Sequence, residues 1–308
     1  MIKKIMILAL GLCGLNLGVS AQPLPILSLG GDMRSAGMAG VMAVRDLHTN
    51  IYSSTIIPFQ DGSTKLSASY VGGIHTTKDS GLATYHQASV AYVLGSSSAL
   101  SLGWRYLGGI KTDYIDAHGN KIGQVYPRDW SLDLGYSHLF GSSWLGWGRI
   151  GYLQSYNSVT ANIVTASAGV AYRLDRTDTT PSYMVGLSVE NFGTKVKYTD
   201  SEISANQPTL LRLSGSIALL KSGSLTLGGG GVYYLATAGE KKLGYHIGGE
   251  WLPIEHIALR TGYSASPYGN IWTTGIGLSF RNISLDAAYN LHEYRLFNMI
   301  KLGIGYRM

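Results

Sequence analysis

The chain has 308 residues, and only 14% of them are charged, against about 25% in a typical globular domain. Its net charge of +6 is modest and its bases form no Lys/Arg stripe, which argues against a nucleic-acid partner. The single cysteine excludes a disulfide framework and a Cys-based metal site.

Residues 1–21 read as a secretory signal. Lys3 and Lys4 form a positive start, Ile5 to Leu15 is a short apolar stretch, and Val19-Ser20-Ala21 is a small-residue cleavage site. The apolar stretch is shorter than the roughly 20 residues of a spanning helix. Cleavage before Gln22 removes Cys13 and leaves no thiol. No later stretch approaches 18 consecutive apolar residues, so no membrane helix is expected.

Residues 22–63 do not alternate. They are Gly-rich, small and moderately apolar, from Leu29-Gly30-Gly31 through Val44-Arg45-Asp46 to Asn50-Ile51-Tyr52-Ser53-Ser54. A segment of this composition is not a disordered tail, and the expectation is a plug inside the following domain.

From about residue 64 to the last residue the chain alternates with period two. Trp130, Leu132, Leu134 and Tyr136 are apolar, with Ser131, Asp133 and Gly135 between them. Ile300, Leu302, Ile304 and Tyr306 alternate with Lys301, Gly303, Gly305 and Arg307. Fourteen strands are expected, starting near Lys65, Tyr85, Ala99, Asp129, Trp144, Thr160, Tyr183, Thr209, Ser224, Lys241, His256, Asn270, Ile283 and Leu296. Connections alternate in length. One set is tight (Gly95–Ser98, Gly141–Ser143, Lys221–Gly223, Pro253–Glu255, Arg281–Asn282), with Asp175–Ser182 its long exception. The other set is generally longer, most of all from Lys111 to Arg128. This is the plan of an all-β transmembrane barrel: 41 Gly at bends, 21 Tyr against five Phe for interfacial girdles, lipid outside and polar residues within. An even strand number sets both termini on the periplasmic side of a Gram-negative outer membrane. The expected division is signal 1–21, plug 22–63 and barrel 64–308.

The run Asp32-Met33-Arg34-Ser35-Ala36-Gly37-Met38-Ala39-Gly40-Val41, then Asp46 and Asn50-Ile51-Tyr52, resembles the opening of the PorV/PorQ family. These are Bacteroidetes outer-membrane proteins with the fourteen-stranded barrel of FadL transporters. By position Asp32, Arg34, Gly37, Met38, Gly40 and Asp46 match, Met33 replaces an Ala, and Ser53-Ser54-Thr55 stand where Asn-Pro-Ala is usual. The strand Arg128 to Tyr136 also has a familial look. The resemblance implies one of two jobs: moving a hydrophobic small molecule through the barrel wall, or serving type IX secretion by binding exported cargo beside other secretion subunits. A purely structural barrel in an envelope complex is the alternative.

With the apolar faces outward, Arg105, Asp133, Arg173, Glu190, Arg212, His246, Glu250, Arg260, Arg281, Asp286, Lys301 and Arg307 face the lumen. Such charges pair or stay wet. They read as a network holding the plug through Asp32, Arg34, Arg45 and Asp46; a polar permeation path with slight anion preference is the other reading. The glycines Gly228, Gly229, Gly230 and Gly231 within one strand permit close packing or a kink beside the plug. In a FadL-type barrel such a kink opens a lateral gate. No enzyme is expected, an outer-membrane enzyme being the remote alternative. His48, His75, His86, His118, His138, His246, His256 and His292 are scattered, fall in no Ser/His/acid motif and have no metal-ligand spacing. His75, His118 and His292 look like loop residues. No cofactor is implied, and the expected partners are outer-membrane lipid with a hydrophobic ligand or secretion cargo.

Overall fold

In a computed structural model of the chain, the described residues are 24–29, 31–42, 51–52, 64–77, 81–115, 118, 121–175, 181–199, 204–220, 224–235, 242–293 and 298–308. The signal segment, Arg45, Asp46, His48, Ser53–Thr55 and the 221–223 turn lie outside them. So do residues 176–180 and the rest of segment 53–63.

The strands run β1 (Leu66–Thr77), β2 (Gly81–Leu94), β3 (Ser98–Gly108), β4 (Thr112–Ile115), β5 (Lys121–Val125), β6 (Arg128–Phe140) and β7 (Trp144–Asn157). They continue with β8 (Val159–Leu174), β9 (Ser182–Gly193), β10 (Val196–Lys197), β11 (Ser204–Ala205), β12 (Leu210–Leu219), β13 (Leu225–Tyr234) and β14 (Leu243–Ile254). The last are β15 (Ile257–Ser266), β16 (Gly269–Phe280), β17 (Ile283–His292) and β18 (Met299–Arg307). Fourteen of them close into an antiparallel barrel, β1 pairing with both β2 and β18. Met308 completes the seam, its amide donating to the Leu66 carbonyl at 2.8 Å. Each expected strand start falls within four residues of an observed one. The hairpins β4–β5 and β10–β11 stand outside the barrel in the two longest connections. They were not expected, being too short to show a period.

Alternation sets the faces. On β6, Leu132 and Leu134 are about half exposed, while Ser131 and Asp133 are buried. The same inversion runs round the barrel, so the apolar surface faces out and the polar surface in, as a bilayer requires. Aromatic residues gather toward both rims of the outer wall. Tyr92, Phe140, Trp144, Tyr172, Tyr183 and Phe280 lie toward one, and Trp130, Tyr152, Tyr233, Tyr263 and Trp272 toward the other. Such paired girdles mark the two interfaces of a membrane. No helix among the described residues is long and apolar enough to cross one, which says nothing of strands.

One end of the barrel carries tight turns: Gly95–Ser97, Gly141–Ser143, Glu255–His256 and Arg281–Asn282. Gly95 and Gly141 open theirs at φ +66° and +67°, which glycine adopts without strain. Pro253 and Ile254, expected in a turn, instead extend β14 past a register shift. The opposite end carries the long connections 109–127 and 194–209, although Ser158 alone and Pro267–Tyr268 also turn the chain there.

The plug runs through the lumen from the loop end. Leu24, Ile26 and Leu27, around a single 3-10 turn at Pro25–Leu27, cluster with Tyr85, Leu153, Ile163, Met299 and Val196, all near the loop end. The helix α1 (Met33–Gly37) lies lower, against β15 to β18. Leu24 therefore sits at the end opposite to Met308. The barrel's own ends, Leu66 and Met308, share one end, as an even strand number requires.

Candidate functional site

The functional candidate is the contact between plug and lumen, which is built in three places. In the first, Asp32 caps α1 by accepting from the Ser35 amide at 2.7 Å. The next residue but one, Arg34, clasps Glu250 of β14 through two bonds of 2.9 and 2.5 Å. Glu250 also accepts from Arg260 of β15 at 2.7 Å, and Arg260 continues to Asp286 of β17. All four side chains are buried, two cations alternating with two anions. Beside them, Thr273 donates its hydroxyl to the Gly37 carbonyl at 2.9 Å.

Glycines on the wall let the plug backbone approach. A Cβ on Gly248 would stand 2.4 Å from the Met38 carbonyl oxygen, and one on Gly262 2.6 Å from the Met38 carbonyl carbon. Gly40 turns the plug at φ +87°, its amide bonding the Ser35 carbonyl at 2.7 Å. Beside α1 the remaining gap, lined by Asp32, Met33, Val71, Asp286 and Gly303, is about 10 Å³, room for one water.

The second contact is on the opposite wall. Tyr52 lies with its ring 4.2 Å from the Arg105 guanidinium and 5.4 Å from that of Arg149, and donates its hydroxyl to Asp133 at 2.9 Å. Arg105 pairs with Asp133 at 3.4 Å and donates to the Ile26 carbonyl; Arg149 donates to the Ile51 carbonyl at 3.0 Å. Two arginines thus share one carboxylate, and the plug offsets the excess with a ring face and two carbonyls. Burial, the dominant cause, pushes the Tyr52 hydroxyl well above its ordinary value, and the Arg105 guanidinium opposes this only in part.

The third set is a group of single bonds. Lys301 donates to the Leu29 carbonyl at 3.0 Å, Gln87 to the Gly31 carbonyl at 3.1 Å, and the Met42 amide to Ser214 at 3.1 Å. Ser214 in turn bonds His246 at 3.0 Å.

Of the charges expected in the lumen, Arg105, Asp133, Glu250, Arg260, Asp286 and Lys301 join these contacts. Glu190 and Arg212 pair at 2.9 Å near Gly40. Three lie apart. Arg173 pairs with Asp175 at the turn-end rim, and Arg307 lies half-buried at the same rim. Arg281 is not a lumen residue: it occupies the Arg281–Asn282 turn at φ +53°, exposed, with its guanidinium 5.2 Å from the Phe280 ring. The strand ends one residue before it, so the alternation no longer applies. His75 and His292, expected in loops, are inward-facing strand residues, because β1 and β17 run further than their apolar pattern. Asp46 and Arg45 lie outside the described residues.

Sequence reasoning missed Arg149 and gave Tyr52 no role. On β7 both faces carry large apolar residues, Leu145 and Trp147 inward and Trp144, Ile150 and Tyr152 outward, so the phase was ambiguous. Gly228 to Gly231 pair in unbroken register with both β12 and β14. The wall is irregular elsewhere, between β8 and β9, where the register shifts beside Glu190 and Asn191. Asn191 stands at φ +57° there, and its amide donates to the Ser167 hydroxyl instead of a carbonyl. Among the described residues no group of His, Cys, Asp and Glu is arranged to hold a metal.

No known sequence family matches the chain, and no curated protein matches it. Solved structures do. The toluene transporter TodX of Pseudomonas putida is similar with a TM-score of 0.58 at 12% identity, over 90% of this chain and 98% of its own. A ΔS2S3 mutant of TodX, described as a monoaromatic hydrocarbon channel, gives 0.59 at 13%, over 90% and 98%. A FadL homologue of Pseudomonas aeruginosa gives 0.52 at 10%, over 89% and 98%. At such identities the likeness establishes the fold alone, the fourteen-stranded outer-membrane barrel of FadL type. These neighbours are transporters and channels rather than enzymes. The PorV/PorQ likeness rests on the plug residues and the strand Arg128 to Tyr136.

Proposed function

We propose that this chain resides in the outer membrane of a Gram-negative cell and passes a hydrophobic small molecule, with the plug as the element that must shift. In this reading the tight turns and Met308 face the periplasm and the loops face outward. The observation that carries it is the apolar cluster at the loop end of the lumen, above the buried charges, with a smaller apolar cluster of Leu145, Trp147, Ala171 and Met184 at the turn end. At the loop end Ile26 is wholly buried among Tyr85, Leu153, Ile163 and Met299. Val196 covers it from the connection that holds β10 and β11. An apolar solute from outside meets matching surface at this point and a charged lumen below it. Desolvating the charge network to go straight on is costly, so the reading sends the solute out through the wall.

An exit at Gly228 to Gly231 lies between two intact ladders. The β8–β9 bulge needs fewer bonds broken, and we assign the exit to it. The test is uptake by cells expressing the chain, with the exit closed by a disulfide between Ala166→Cys and Phe192→Cys, which face each other across β8 and β9. Oxidation is expected to halt uptake and reduction to restore it; unchanged uptake when oxidised rejects this route.

The second reading, service in type IX secretion, draws on the PorV/PorQ likeness and on the β4–β5 hairpin. That hairpin stands clear of the barrel, and Ile122 on it is 68% exposed, a surface suited to a protein partner. Recovery of secretion subunits or cargo with the purified chain, lost on Ile122→Asp, would support it over transport.

A further inference from the structure

One sector of the outer wall carries a hydrogen-bonded row of ring and amide side chains at its loop-side rim. On β6, β7 and β8 the register aligns Trp130, Gln154 and Asn162 in a row, all facing outward. The Trp130 indole donates to the Gln154 side-chain carbonyl at 3.2 Å, and the Gln154 amide donates to Asn162 at 3.1 Å. Asn162 accepts a second bond from the Tyr152 hydroxyl at 2.7 Å. Both side-chain carbonyl oxygens thus accept within the row. The Trp130 and Tyr152 rings flank the row with centroids 5.6 Å apart.

One step nearer the loops, Arg128 lies over the Tyr156 ring at 4.6 Å and is exposed. The edge of β8 is bordered there by the β10 segment, where the Thr199 amide donates to the Thr160 carbonyl at 2.8 Å. On β10, Val196 is buried in the plug's apolar cluster while Lys195 and Lys197 on either side are exposed. The outward positions of β6, β7 and β8 hold no acid. Directly below, Leu132, Ile150 and Val164 make an apolar wall. In contrast, the loop-side rim on β13 to β16 presents the rings of Tyr233, Tyr263 and Trp272 with one outward amide among the described residues, Asn270, in place of a row.

We propose that this sector binds the head group of a phosphorylated glycolipid whose acyl chains lie on the wall beneath. Aromatic faces stack on sugar rings, amides bond sugar hydroxyls, and Arg128 with Lys195 and Lys197 meets phosphate. A glycerophospholipid has the phosphate and the chains but offers no sugar ring to the Trp130–Gln154–Asn162 row. A free sugar phosphate has the head but leaves the apolar wall uncovered. The inference does not depend on what the lumen transports.

The test is native mass spectrometry of the detergent-purified full chain with three probes. They are a multiply acylated disaccharide carrying phosphate, the same lipid without phosphate, and phosphatidylglycerol. The phosphorylated glycolipid is expected to bind at least about tenfold more tightly than either, the scale of one charge-assisted hydrogen bond. Arg128→Ala with Lys197→Ala should remove the preference for phosphate, and Gln154→Ala with Asn162→Ala the preference for sugar. Equal binding of glycolipid and phosphatidylglycerol overturns the proposal. So does full retention of selectivity in both variants, or equal competition by the soluble head group. If the Gln154/Asn162 variant fails to fold, as judged by heat-modifiable migration in gels, the exposed Arg128/Lys197 variant with the three probes decides the matter alone.

Discussion

At Arg34 the physics of a single side chain becomes the physics of the plug. Removing one partner of a buried pair leaves the other charge uncompensated, at about 3 to 5 kcal/mol. Arg34→Ala should therefore free residues 31–42 from β14, which faster amide hydrogen exchange in that segment would register; unchanged exchange would show that the pair holds nothing. Tyr52 gives a test by pH. Its hydroxyl titrates above the ordinary value near 10, since burial disfavours the phenolate. A group whose folded value is raised stabilises the folded form in full below its unfolded value and loses that contribution as pH rises beyond it. Protection of residues 51–52 should be flat from neutral pH to about 10 and fall above it, and Tyr52→Phe should abolish that part of the fall. The plug residues Asp32, Arg34, Gly37, Met38 and Gly40 stood out in the sequence, and each has a contact: a cap, a clasp, an accepted hydroxyl, a seat on wall glycines and a turn. Which wall residues receive them was legible only where the alternation was clean, as at Asp133, Glu250 and Arg260. Arg149 was hidden by apolar residues on both faces of β7, and Tyr52 because a plug has no period to read.

Strands show most clearly what sequence conveys. Each barrel strand starts within four residues of the position the alternation indicates, because lipid outside and a polar lumen inside impose opposite chemistry on successive residues. The short hairpins β4–β5 and β10–β11 answer to neither solvent and left no such mark. Glycines need the structure to be understood. In the run on β13, a Cβ on Gly230 would lie 2.0 Å from the Leu213 carbonyl oxygen, whereas one on Gly231 would meet nothing nearer than 3.9 Å. Gly231→Ala should fold as well as the parent, while Gly230→Ala should lower the midpoint of urea unfolding in detergent micelles. Equal effects would mean that the run serves propensity and not packing. The face assignment predicts its own asymmetry. Leu302→Lys places a charge against lipid and should cost about 2 to 4 kcal/mol if it lies near the bilayer midplane. Refolding yields into lipid vesicles would show a neutral outcome if the face were wrong.

For the molecule as a whole, a closed barrel removes every sheet edge from the membrane, and the plug turns its lumen from a pore into a packed interior. Its two walls hold the plug differently: β14, β15 and β17 by a balanced chain of charges, β3, β6 and β7 by two arginines around one aspartate and a tyrosine ring. In the proposed orientation, the apolar cluster at the loop end is the part of this interior that an apolar guest from outside meets first. The measurement that bears most directly on the account is the initial uptake of a labelled apolar solute such as octane, at low concentration, by Gram-negative cells expressing either the parent chain or Arg34→Ala. The account predicts saturable uptake above that of cells lacking the chain, faster in the variant whose plug is loosened. Uptake indistinguishable from that of cells lacking the chain, for parent and variant alike, would contradict it.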